Sequence, residues 1–317
     1  MAGFGDRICA GMHNVCRCVL MLLCCAFCSL PFAAAAEDEE DWLGGLLDDL
    51  YNTPDSRSEG VRYFNEKKYH EALQEFQKAL DEEVRLCGKN TAAAAEIIAE
   101  IAMVKDAMAD YKGALHDFLR ALKIQEKVLA DDDFQKVYTC NSIGLMYKKL
   151  GDFQAALNYY SKALKMCIGI KGETSSECAA IFINIGDVYT AAGKYDSALE
   201  DYRAALEIYR KLASGQDPDT AGCLSKIAVA YSLQKDHDTA VKYFAAAINS
   251  FNELKIENSD TVLLYLGYGQ ATLGAGDVDR AEQLLRQALK KSVKILGNDH
   301  EITAMCRDSL RVIIKRK

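Results

Sequence analysis

DFQAALNYYSKAL, residues 152 to 164, sets Ala156 and Ala163 seven apart with Tyr160 four after the first. At 3.6 residues per turn these three share one helical face, where the alanines let a second helix approach and the ring fills the space between. The arrangement returns in KYHEALQEFQKAL (68 to 80), DYKGALHDFLRAL (110 to 122), KYDSALEDYRAAL (194 to 206), DHDTAVKYFAAAI (236 to 248) and DVDRAEQLLRQAL (277 to 289). The first small residue is Ala72, Ala114, Ala156, Ala198, Ala240 and Ala281, a step of 42 residues that slips to 41 only at the end. Between the alanines sits Phe76, Phe118, Tyr160, Tyr202, Phe244 or Leu285.

One unit cannot bury such a face alone. Twelve residues before each first alanine stands another small residue, Gly60, Ala102, Gly144, Gly186, Ala228 or Gly269, and Tyr63, Tyr147, Tyr189 and Tyr231 follow it by three in four repeats. These positions belong to the partner helix of an antiparallel pair that crosses closely at the small residue. The intervening breakers KKLGDF, TAAGKY and GAGDV offer Gly151, Gly193 and Gly276 as left-handed helix ends, with Asp152 and Asp277 as N-caps of the next helix. Pro31, Pro54 and Pro218 are the only prolines, which suits long uninterrupted helices. A two-helix unit repeated six times predicts an all-α solenoid.

This succession of small residue, tyrosine, alanine, aromatic and alanine resembles the tetratricopeptide repeat (TPR). The step of 42 residues exceeds the usual ~34, and RALKIQEKVLA (120 to 130) and KILGNDHEITA (294 to 304) look like the long repeats of kinesin light chains. The resemblance implies a right-handed superhelix. It also implies that the first helix of each pair lines a concave surface on which partners are held. Repeat one is degenerate at Ser56 and Glu59, and repeat six has Thr272 in the tyrosine position, as capping units do.

The expected organisation is a leader (1–36), an acidic linker or docking segment (37–55), six repeats (56–298) and a closing helix (299–317). The leader has Arg7 and Arg17, then the uncharged run CVLMLLCCAFCSLPFAAAA. That is the grammar of a signal peptide cut near Ala36, or of an uncleaved membrane anchor. Either places the body in the secretory pathway, lumenal or extracellular, or tethered with a lumenal body; import into another organelle is the alternative. Residues 37 to 55 carry eight acids and no base, so most of the net charge of −8 is local. The near-neutral remainder lacks the excess positive charge that nucleic acid requires. The stripe Trp42, Leu43, Leu46, Leu47, Leu50 and Tyr51 in the linker suits either a cap on repeat one or a partner-binding segment.

The six body cysteines are scattered, Cys140 occupies a core position, and Cys167 with Cys178 is the pair placed to bridge one inter-repeat loop. No histidine or cysteine spacing suggests a metal, and no cofactor fingerprint or catalytic motif is present, so an enzyme is not expected. Function is sought on the surface that the resemblance makes concave. There the central repeats give Asn141, Leu145, Lys148, Ile183, Asn184, Asp187, Ser225 and Val229. Amides that can pair with a peptide backbone, next to aliphatic side chains, suit a peptide or helix of a partner protein. The alternative is a structural subunit held in a larger complex by the solenoid edges and the acidic arm.

Overall fold

A computed structural model describes residues 55–212 and 217–314, so the leader, nearly all of the linker and the last three residues lie outside the described part. Thirteen helices fill it: α1 Ser56–Asn65, α2 Tyr69–Cys87, α3 Ala92–Ala107, α4 Tyr111–Val128, α5 Gln135–Leu150, α6 Phe153–Lys171, α7 Ser176–Ala191, α8 Tyr195–Leu212, α9 Pro218–Leu233, α10 His237–Glu253, α11 Ser259–Gly274, α12 Val278–Ile295 and α13 Glu301–Ile314. There is no strand among the described residues. Two compact units divide at Asp131, the first holding α1 to α4 and the second α5 to α13.

Within each unit the helices pack as antiparallel pairs, and the ladder read from sequence is their seam. All six first alanines are fully buried, as are Tyr160, Tyr202, Phe244 and Leu285 or nearly so. The small residue of the first helix meets the large residue of the second. A Cβ added at Gly60, Gly144, Gly186 or Gly269 would lie 2.8, 2.9, 2.6 or 2.7 Å from Phe76, Tyr160, Tyr202 or Leu285. Pairs then stack through the opposite faces of the second helices, joining α6 to α7, α8 to α9 and α10 to α11. Cys140 is fully buried as a core residue. Helix α13 closes the second unit against α12 and α11 through Thr303, Cys306 and Ile313. The architecture is an all-α solenoid of six helix-turn-helix units with a closing helix.

The turn inside each pair is one structure used six times. Its left-handed residue is Lys67, Ala109, Gly151, Gly193, Lys235 or Gly276, with φ between 60° and 94°. The amide of that residue and the next one donate back to carbonyls three and five residues earlier, as Gly151 to Lys148 (3.1 Å) and Asp152 to Tyr147 (2.9 Å). Asp152 and Asp277 cap the following helices as the sequence predicts, accepting from the Ala155 and Arg280 amides at 3.0 and 3.1 Å. Asp110 and Asp236 do the same in repeats two and five.

Three of the six turns therefore place a side-chain-bearing residue where the left-handed conformation costs ~1–2 kcal/mol. Ala109→Gly and Lys235→Gly remove that cost and add some unfolded-chain entropy, so each is expected to stabilise by about 0.5–1 kcal/mol. A raised urea midpoint with an unchanged helical circular dichroism spectrum is the expected result; a lowered midpoint would show that the turn carries no strain.

Candidate functional site

The first helices of unit two, α5, α7 and α9, run side by side at a nearly constant 42-residue offset, and their exposed faces meet through hydrogen bonds. Asn184 Nδ2 donates to Asn141 Oδ1 at 2.9 Å. Lys226 Nζ donates to both oxygens of Asp187 at 2.8 and 2.9 Å, and Lys148 Nζ approaches Asp187 Oδ2 at 3.4 Å. One polar ladder thus crosses three helices with Asp187 at its centre. Leu145, Ile183 and Ser225 are half-buried beside it, and Val229 is exposed. Of the eight candidate residues, four (Asn141, Lys148, Asn184 and Asp187) are drawn into this ladder, together with Lys226, the helix neighbour of Ser225. No hydrogen bond among the described residues joins Ser225 itself to it.

Asp187 is also held from beneath. The Tyr202 ring, on α8, lies under Gly186, and its hydroxyl donates to Asp187 Oδ1 at 2.7 Å, with Thr190 Oγ1 3.0 Å from the same hydroxyl. Burial pushes the Asp187 carboxyl up, but Lys226, the Tyr202 hydrogen bond and Lys148 outweigh it and hold the group below the ordinary carboxylate range. It is an anion at neutral pH with two cations about it. Each Asn amide can make about four hydrogen bonds, and the Asn141–Asn184 contact uses one of each. The remaining capacity suits a ligand's backbone amides.

The residue just after the small one, Val61, Met103, Leu145, Asp187 or Val229 in repeats one to five, is surface-directed. Val61 and Met103 are 42% and 49% exposed. Its polarity follows the ring in the same repeat. Phe76, Phe118 and Phe244 accompany aliphatic residues, whereas Tyr202 accompanies Asp187. Repeat three breaks the match: Tyr160 accompanies Leu145, and its buried hydroxyl has no hydrogen-bond partner among the described residues. Burial, with the nearby Asp187 charge, pushes that phenol up.

Unit one carries a charged counterpart of the ladder. Arg57 on α1 donates to Glu96 at 2.9 Å and to both oxygens of Glu100, at 2.9 Å or slightly longer, on α3. Sequence reasoning overlooked Arg57, Glu96 and Glu100 as partners, and assigned Tyr202 to packing alone. The signal was there: first-helix partners stand 39 or 43 residues apart, as Arg57–Glu96, Arg57–Glu100, Asn141–Asn184, Lys148–Asp187 and Asp187–Lys226 do. Those are one repeat less three and one repeat plus one, the two neighbours that a helix surface offers.

The two tyrosines make opposite predictions. Tyr202→Phe removes a hydrogen bond to a charged group and should cost roughly 1.5–3 kcal/mol. Tyr160→Phe removes a buried hydroxyl that satisfies nothing, so the urea midpoint should hold or rise. Equal losses in both variants would contradict the assignment of Asp187 to Tyr202 alone.

No metal-ligating cluster of three or more His, Cys, Asp or Glu occurs among the described residues, and no described helix is long and apolar enough to cross a membrane. No curated protein matches the chain. Solved structures do. BtubC (BKLC) from P. vanneervenii aligns at 21% identity over 72% of this chain and 92% of its own, with a TM-score of 0.62. TPR-like repeats of the kinesin light chain type from Podosopora anserina align at 16% identity over 64% and 97%, with a TM-score of 0.55. A Rap protein complexed with Competence and Sporulation Factor aligns at 17% identity over 82% and 74%, with a TM-score of 0.54. A tetratricopeptide repeat profile matches residues 91–169, 133–211 and 175–253, and a second one matches 269–302. With its 42-residue hairpins, capped turns and matched profiles, the chain belongs to the tetratricopeptide repeat family.

Proposed function

We propose that the protein is a non-enzymatic scaffold that holds an extended segment of a partner protein across α5, α7 and α9. A fold of this family is an interaction scaffold, and the Asn141–Asn184 pair is the observation that supports an extended ligand. Side-chain amides recognise a backbone whose own N–H and C=O groups are open, and in a helix those groups are already used. Leu145, Ile183 and Val229 would take apolar side chains of the segment, and the Lys148–Asp187–Lys226 centre would set its register. The Rap protein bound to Competence and Sporulation Factor supports the use of this architecture to hold a partner. We assign the body to an extracytoplasmic compartment on the strength of the leader, with membrane attachment only if that leader is retained. N-terminal sequencing of the protein purified from its native source should begin close to residue 37; a mature chain beginning within residues 1 to 36 overturns the cleaved-leader reading.

The groove is tested with an immobilised array of extended peptides probed by the full body. The variant Asn141→Ala, Asn184→Ala, Asp187→Asn should lose binding to the selected peptides by tenfold or more. Glu207→Ala, on the exposed surface of α8, should leave it unchanged. Retained affinity in a triple variant that unfolds at the parental urea midpoint overturns the groove and favours a scaffold held by its edges.

A further inference from the structure

Two fully buried thiols face each other where repeat three meets repeat four. Cys167 ends α6, Cys178 opens α7, and their sulfurs stand 2.9 Å apart across the loop 172–175. The Cys178 thiol is also 3.4 Å from the Gly172 carbonyl, and Cys167 is 3.8 Å from the Ser175 hydroxyl. The last junction of the array supplies the control. There Ser292 on α12 and Thr303 on α13 occupy the same two positions, joined hydroxyl to hydroxyl, and Thr303 Oγ1 donates to the Gly297 carbonyl at 2.7 Å. Both pairs are 11 residues apart and fully buried. The architecture therefore brings this pair of positions into contact as a matter of course, and the choice of side chain decides what the contact can do. Hydroxyls can only share a proton. Thiols can be joined.

We propose that Cys167 and Cys178 are a redox modification site, a disulfide that ties α6 to α7. The oxidant is a disulfide of low molecular weight or an oxidoreductase in its disulfide form. Its S–S bond is cleaved as the Cys167–Cys178 bond forms, and the two electrons and two protons of the thiols pass to it, giving two reduced thiols. From 2.9 Å the sulfurs need to close by about 0.9 Å to reach a bond of ~2.05 Å. Cys223, by contrast, donates to the Tyr202 carbonyl at 3.0 Å. Burial, followed by the Cys178 hydrogen bond, pushes the Cys167 thiol up to about 12, so at neutral pH Cys167 holds little thiolate while the junction is closed. Oxidation then proceeds through local opening of the junction or before it closes during folding. Since α7 bears Ile183, Asn184 and Asp187, the bond would also fix the helix at the centre of the candidate groove, although the proposal does not depend on that groove.

The test equilibrates the full chain with an excess of oxidised glutathione, then denatures it, alkylates free thiols with N-ethylmaleimide and maps the peptides. The expected product has Cys167 and Cys178 cross-linked and Cys87, Cys140, Cys223 and Cys306 alkylated, with a thermal midpoint raised by roughly 5 °C and restored by dithiothreitol. The variant Cys167→Ser, Cys178→Thr copies the Ser292–Thr303 pair and should fold with no cross-link and no response to oxidant; Cys167→Ala serves if the double variant does not fold. Complete alkylation of all six body cysteines, a glutathione adduct at Cys167 or Cys178 in place of the cross-link, or a bond from either of them to any other cysteine overturns the proposal.

Discussion

In four of the six repeats the first helix presents bare backbone to the side chain of the second, and no side chain would fit between them. The approach of Tyr202 to Gly186 is the tightest, 2.6 Å from where a Cβ would stand. Close crossing fixes the spacing within each pair, and the one repeated turn fixes its angle. Pairs of constant shape stack with a constant offset, and that offset aligns α5, α7 and α9 closely enough for Asn184 to reach Asn141 and for Lys226 to reach Asp187. The ladder on the surface follows from a contact in the interior.

The polar centre at Asp187 is a half-buried charge cluster, and such clusters persist only when every charge is answered. Asp187 has two lysines and a tyrosine hydroxyl, and removing any one leaves the others partly desolvated. Unit one answers a different charge, the Arg57 guanidinium, with Glu96 and Glu100. Elsewhere the contact three residues after the small position varies with its partner twelve residues on. It is a stacked ring pair in Tyr147–Tyr159 and Tyr231–Tyr243, with centroids 5.5 and 5.6 Å apart, and an ion pair in Lys105–Asp117 at 2.5 Å. Repeats differ in chemistry while preserving the volume and direction of each contact.

Periodicity made the helices, their pairing and the buried ladder legible, because burial of one face every 42 residues leaves no other helical arrangement. The glycine turns and the Asp152 and Asp277 caps were legible for the same local reasons. Lys67, Ala109 and Lys235 were not, since nothing in a lysine or alanine signals a left-handed backbone and only the neighbouring repeats impose it. The candidate groove was half legible. Position alone picked out Asn141, Asn184 and Asp187, but whether they point at a ligand or at one another depends on side chains a full repeat away. Tyr202 shows the deeper limit: as one rung of a packing ladder it looks the same as Tyr160, and only the residue after the glycine distinguishes a hydroxyl with a partner from one without.

Because Tyr202 is rooted in the second helix and ends beneath the first, the outer row of this protein is spelled twice, once at the surface and once in the core. A carboxylate can be moved along the row only to a repeat whose ring carries a hydroxyl, and repeat three, where Tyr160 already waits under Leu145, is the one place ready to accept it. Transplanting the charged centre to repeat five would require remaking Phe244 first. Divergence of the surface row in such an array is therefore paced by its interior, with the buried ring changing before the residue that stands above it.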